Sequence, residues 1–268
     1  MTATQKVRLF SASRSDDAGH LAARDLAVIA RTLDVDYRLV GGLAVTLLTW
    51  VYGVSKQVPA RETADADFGA QPQVVADERL LPALTASGYE QIEGNRLTRT
   101  ERRQSEDIDL TIDLLTPSYK GRLVSNVPVG DFVVDEVPAL SLALAMDAVT
   151  VQAVVTLTDG EAIDIEYRLP SVVAALCMKI HAYGERRQGR DALDVWRLLE
   201  TAYSAGVRSA GWNPRGGGVR LDASRLVYQH FIDVSAPGPR AATQDTQQQA
   251  RIRTLARAVV SEPPADDA

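Results

Sequence analysis

The sequence predicts an α/β protein: a mixed sheet bearing carboxylates, flanked by helices and closed by a helical lobe towards the C-terminus. Three observations predict it. Short β-rich runs with period-two alternation recur between residues 37 and 167, a Gly-Gly turn joins one of them to an apolar helix, and amphipathic helical segments dominate after Pro170. The 268 residues are 46% hydrophobic and 24% charged, an ordinary globular composition. The reading divides the chain into two closely packed lobes, residues 1–168 and 169–260, and a disordered tail, 261–268.

Residues 16–32 place apolar side chains at helical spacing, with Asp16 or Asp17 available as N-cap. Tyr37–Val40 reads as a short strand that breaks at Gly41-Gly42 and continues as the apolar helix LAVTLLTWVYG. Pro59 interrupts, and ETADADFGA then alternates like a strand. Leu80–Ala86 reads as a surface helix, Tyr89–Thr100 as a hairpin and Ile108–Leu115 as a strand. FVVDEV, AVTVQAVVTL and AIDIEY are expected to extend the same sheet, with a helix at Ala139–Met146 and a turn at Asp159-Gly160. Helices follow at 171–188, 190–206, 221–233 and 246–260, with a mobile loop at Asn213–Gly218 and a stiff linker at Ser235–Arg240. No internal repeat is present.

The first residues lack the apolar core of a signal peptide, and no apolar run approaches the roughly 20 residues needed to span a bilayer. The expected location is the cytoplasm. Cys177, the only cysteine, rules out an internal disulfide and a cysteine zinc cage, and its apolar neighbours mark it as a core residue. A net charge of −6 argues against a surface that grips any nucleic acid, but allows a local basic groove. Arginines cluster at Arg96, Arg99, Arg102 and Arg103 and again at Arg186, Arg187 and Arg190.

The chemistry concentrates at Arg61, Thr63, Asp65 and Asp67. Residues two apart on a strand share a face, so Thr63, Asp65 and Asp67 are expected to project together while Ala64, Ala66 and Phe68 face a core. Paired carboxylates repel unless a cation offsets them, and magnesium favours a few carboxylates with water and phosphate oxygens. An edge strand with two incidental acids is the alternative. A third carboxylate is available on IDLTIDLL as Asp109 or Asp113; Asp113, nearer the strand end, is preferred. Gly41-Gly42 lies where a strand enters a helix, a place where free amides receive phosphates. Lys179 and Arg186, one heptad apart on a helix, form either a phosphate-facing stripe or surface charge, the latter with Arg187–Asp191 and Arg190–Asp194 as intrahelical pairs. His181 and His230 read as structural or solvated.

In order and type, GGLAV, RETADAD, IDLLTP and KIHAYGERRQGRDALDVWRL resemble the AbiEii/MenT nucleotidyltransferases, toxins of toxin–antitoxin pairs within the DNA polymerase β superfamily, over residues 37–200. The resemblance implies a mixed-sheet nucleotidyltransferase fold with a helical C-terminal lobe. It implies that Asp65 and Asp67 bind Mg2+, that Gly42 and Thr63 line the triphosphate pocket, that Lys179 contacts phosphate and that Asp194 completes the site. The Gly42–Asp65 gap is longer than in the wider superfamily, which adds helix, and Arg190 stands where a lysine is usual, which keeps the charge. The expected reaction transfers a nucleoside monophosphate from an NTP to an acceptor hydroxyl. Asp65, Asp67 and Asp113 hold the metal, Asp113 or Asp194 assists the hydroxyl, and Gly41, Gly42, Thr63, Lys179, Arg186 and Arg190 meet the nucleotide. The resemblance further implies an RNA acceptor, tRNA among the candidates, and a cognate antitoxin. A small-molecule nucleotidyltransferase of the aminoglycoside type would instead favour an acidic cleft. A degenerate, purely binding relative would be expected to lose charged motif positions.

Overall fold

The computed structural model describes residues 4–212 and 218–264. Apart from Gly218, the expected loop Asn213–Gly218 lies outside the described residues, as do residues 265–268 of the expected tail.

The chain opens with strand β1 (Gln5–Phe10), which puts Lys6 and Arg8 outward and buries Leu9. Helix α1 (Arg14–Leu33) is capped by Ser13, whose hydroxyl accepts from Asp16 N at 3.2 Å. The expected caps, Asp16 and Asp17, instead tie the helix to distant segments. Asp16 Oδ1 accepts from Thr63 N at 3.0 Å, and Asp17 Oδ1 from Thr158 N at 3.1 Å.

Strand β2 (Arg38–Val40) runs directly into α2 (Gly41–Val51). Next come β3 (Asp65–Gly69), α3 (Pro72–Val75), α4 (Leu80–Ala86), β4 (Glu90–Glu93), β5 (Arg96–Arg103) and β6 (Glu106–Pro117). Strands β7 (Val124–Val129) and β8 (Phe132–Val137) follow, then α5 (Leu140–Ala145), β9 (Val149–Thr156) and β10 (Ala162–Leu169). The main sheet has the order β2-β3-β6-β5-β4, with β8 pairing β6 and β7 pairing β8. It is mixed: β3–β6 and β6–β8 are parallel, and the remaining pairs are antiparallel.

Strands β9 and β10 do not extend this sheet as expected. They form a separate three-stranded sheet, β1-β9-β10, with β1 parallel to β9. Helix α1 packs against both sheets and is linked to β10 by His20 Nδ1 and Tyr167 Oη, 2.8 Å apart. Burial lowers the His20 pKa to about 4, which leaves the ring neutral.

The remaining helices are α6 (Val172–Arg186), α7 (Gly189–Ser204), α8 (Ser209–Trp212) and α9 (Val219–Val227), which continues into a π-turn at Tyr228–Ile232. Next, α10 (Pro237–Ala242) replaces the expected linker: Pro237 begins the helix, where a missing N–H costs nothing. Helix α11 (Thr246–Val259) is capped by Asp245. Amphipathic α7 lies at the centre, packed against α2, α6, α10 and α11. Cys177 is buried in α6, and burial pushes its thiol up to about 12, which makes it inert. Among the described residues no helix is long and apolar enough to cross a membrane.

Candidate active site

The site grows from the pairing of β3 with β6. Their parallel register sets Asp67 beside Asp113, and Asp65 lies two residues earlier on the same face. One carboxylate oxygen from each of the three lies within 4.8 Å of the others. On the opposite face of β3, Ala66 and Phe68 are fully buried. Asp109 lies further back on β6, where it accepts from Thr100 Oγ1 at 2.7 Å in exposed surroundings, and stays outside the cluster.

Thr63 departs from the expected strand face, because β3 begins only at Asp65. It belongs to the preceding loop, yet its buried hydroxyl, which has no partner among the described residues, still reaches the N-terminus of α2. A Cβ on Gly42 would lie 2.8 Å from Thr63 Oγ1 and 2.1 Å from Arg61 Nη1. Gly41 has φ +71°, and a Cβ there would fall 1.7 Å from Asp67 Oδ2. Only glycine brings the positive end of this helix so close to a carboxylate.

Burial, reinforced by Asp65 and Asp113, pushes the Asp67 carboxyl up to about 7, against the opposing pull of Lys179 and Arg186. Between its ordinary value and about 7, the folded chain keeps a proton that the unfolded chain has released. Stability of the metal-free protein is therefore fully present below this window and falls as pH rises through it. Thermal denaturation in chelator should show a melting temperature that declines as pH rises from about 4 to about 7 and then levels. Asp67→Asn should flatten that decline and melt at a higher temperature than wild type at the upper end. Identical pH profiles for the two proteins would contradict this.

Cations face the cluster across a cleft of about 360 Å³, lined among others by Gly41, Gly42, Arg96, Lys179, Arg186 and Arg190. Asp194, fully buried in α7, anchors Lys179 together with Arg61 and Arg197. Its Oδ2 accepts from Lys179 Nζ at 2.9 Å and from Arg61 Nη1 at 3.1 Å, and its Oδ1 from Arg197 Nη1 at 3.3 Å. Arg197 also reaches Thr46 of α2 at 3.0 Å, so one carboxylate joins the loop before β3 and helices α2, α6 and α7.

The intrahelical pairs Arg187–Asp191 and Arg190–Asp194 do not form. Helix α6 ends at Arg186, and Arg187 turns into the left-handed region at φ 54°, which re-aims every cation after it. Arg186 takes Asp191 in a bidentate pair of 3.1 and 2.8 Å, and Arg187 instead lies 2.8 Å from His230. Arg190 has no ion pair among the described residues. His181 is buried in the cleft wall, with Nε2 unpartnered among the described residues and its pKa lowered by burial.

The first arginine cluster is not a free basic surface. Arg99 is held by Asp25 and Glu101, Arg103 by Glu101, Asp159 and Glu161, and Arg102 by Asp107. Arg96 turns into the cleft and grips Asp113, with Nε at 2.9 Å and Nη2 at 2.8 Å. Sequence reasoning missed Arg197 altogether, set Arg61 beside the carboxylates without a role, and gave Arg96 no place at the cluster. The available signal for Arg197 was its i,i+3 spacing from Asp194 on the buried face of α7.

Neighbouring carboxylate strands, a glycine-opened helix N-terminus and a facing set of cations define a fold of the nucleotidyltransferase class. The family described as nucleotidyl transferase AbiEii toxin, Type IV TA system, matches residues 26–266. The chain belongs to this family of nucleotidyltransferase toxins of toxin–antitoxin systems. No curated protein matches it.

Proposed function

We propose that the chain transfers a nucleoside monophosphate from an NTP to a hydroxyl of RNA, with Asp65, Asp67 and Asp113 as the metal-binding carboxylates. The observation that carries this reading is the convergence of these three side chains opposite Lys179 and Arg186 in one cleft. The donor set fits magnesium: hard carboxylate oxygens, close enough to share one ion, on a cluster whose own repulsion calls for a cation. The unpartnered Thr63 hydroxyl and the amides at Gly41 and Gly42 fit phosphate oxygens in the same way. Bound there, magnesium would neutralise charge on the triphosphate as pyrophosphate leaves.

The acceptor hydroxyl oxygen forms a bond to the α-phosphorus while the bond from that phosphorus to the β-phosphate oxygen breaks. The hydroxyl proton passes to Asp113. Asp194 does not suit this role, because it is fully buried behind the cleft wall and held by three cations, whereas Asp113 lines the cleft and is held by Arg96 alone, whose side chain is 46% exposed. It holds Lys179 and Arg61 in place, and Lys179 and Arg186 offset charge developing on the phosphates. Arg190, at the cleft wall, extends the cationic surface outward.

RNA is supported by the loop between β6 and β7. Tyr119 is 76% exposed beside Lys120 and Arg122, and the Arg122 side chain has no partner among the described residues. Leu123 N of this loop donates to Glu185 of α6 at 2.6 Å, which fixes the loop at the cleft. An exposed aromatic ring beside an arginine whose side chain has no partner among the described residues suits a single-stranded end, although Lys120 is paired with Glu136 at 3.4 Å. Asp135 and Glu185, also at the cleft, favour the second reading, a small cationic acceptor. Tyr119→Ala and Arg122→Glu together should weaken RNA binding by roughly 10- to 100-fold and flatten its log-log salt slope by about 0.7 per lost phosphate contact, while sparing NTP binding. Filter binding of labelled tRNA across salt checks this. No RNA binding at low salt would leave the small-molecule reading. The family also points to a cognate antitoxin as partner.

A further inference from the structure

We propose that Arg96 gates the carboxylate cluster: in the nucleotide-free chain its guanidinium takes the place of the divalent cation, and the cation arriving with its nucleotide displaces it and frees Asp113. The inference rests on the reading of Asp65, Asp67 and Asp113 as cation ligands.

The register of β5 on β6 puts Arg96 directly opposite Asp113, so the two side chains share a face of the sheet. The fork of Arg96 occupies both oxygens of Asp113, and its Nη2 lies 3.9 Å from Asp65 Oδ2, between the two carboxylates. A magnesium ion bonded to both acids at about 2.0–2.1 Å would need that same space and would repel the guanidinium. Both cations answer one need, since carboxylate oxygens from three acids lie within 4.8 Å of one another. Only one of them fits at a time.

Arg96 is also built to leave. Its side chain is 46% exposed, whereas those of Arg99 and Arg103 on the same strand are 19% and 13% exposed and each is held by several acids away from the cleft. The acid of the pair is only 12% exposed, but the arginine end is open to solvent, so the guanidinium can swing out to water as a divalent ion takes Asp113. The consequence is coupling. Metal alone must evict Arg96, whereas metal carried by a triphosphate brings phosphate oxygens that offer the displaced guanidinium a new partner. The base for the acceptor hydroxyl therefore stays masked until the nucleotide is in place.

The test is Mn2+ binding to the full chain by electron paramagnetic resonance, with and without a non-hydrolysable NTP analogue. Without nucleotide, Arg96→Gln should bind Mn2+ roughly 5- to 100-fold more tightly than wild type, and Arg96→Lys should fall between them. The analogue should tighten Mn2+ binding strongly in wild type and little in Arg96→Gln. Melting curves check that each variant is folded, and Arg96→Lys preserves the test if Arg96→Gln is not. Equal or weaker Mn2+ binding by folded variants, with Asp113→Asn still abolishing it, would overturn the gate alone. Undiminished binding in Asp113→Asn with the analogue would overturn the cation-ligand reading, and the gate with it.

Discussion

Replacing Asp65 or Asp67 by asparagine is expected to lower nucleotidyl transfer by on the order of 10³-fold or more while leaving the chain folded. The two side chains leave the same face of β3, and neither serves the core, which Ala66 and Phe68 fill from the other face. Burial of Asp67, reinforced by Asp65 and Asp113 beside it, costs the metal-free protein stability, visible in the upward shift of Asp67. A neutral amide of the same shape removes the repulsion and the ligand together, so activity and stability should move in opposite directions. Asp109→Asn is the matched control, an acid on the neighbouring strand that stands outside the cluster. Circular dichroism with steady-state transfer assays checks the prediction. Near-wild-type turnover in either variant would reject the assignment.

Asp194→Ala is expected to damage stability and activity together. The carboxylate is fully buried beneath Lys179, Arg61 and Arg197, and Arg197 is itself 2% exposed. Removing the acid strands a buried guanidinium, a change that costs about 3–5 kcal/mol. In a chain of this size the melting temperature should fall by roughly 10 °C. Lys179 and Arg61 lose the anchor that aims them at the cleft, so the residual folded protein should also turn over poorly. The double variant Asp194→Leu, Arg197→Met separates the two effects: replacing the buried pair by apolar groups should restore much of the melting temperature and little of the activity. Recovery of both would show that Asp194 acts only in folding.

Much of this architecture is visible in local pattern. The alternation of IDLTIDLL, the Gly-Gly break after Val40 and the amphipathic run through Trp196 each follow from side-chain periodicity, which local sequence carries. The separate sheet is different, because β1 is short and carries Lys6 and Arg8, and its pairing with β9 spans most of the α/β region. No local pattern says which sheet a hairpin joins. The site divides in the same way. Asp65 and Asp67 lie two residues apart, so their alternation shows in the sequence. The partners of Asp194 come from three separate segments, and the grip of Arg96 on Asp113 depends on strand register. The arginines of β5 look like a basic cluster in sequence because their counterions, Asp25, Asp159 and Glu161, lie far away along the chain. The helical start at Pro237 was hidden by prolines that resemble a linker until the first-turn position is known.

The most direct test of nucleotidyl transfer is to incubate the protein with magnesium, total RNA and each NTP labelled in turn at the α- or the γ-phosphate. The α-label should enter RNA with release of pyrophosphate, the γ-label should not, and incorporation should vanish in chelator and in Asp65→Asn. Transfer of the γ-label, or α-label incorporation that persists in Asp65→Asn, would contradict this reading.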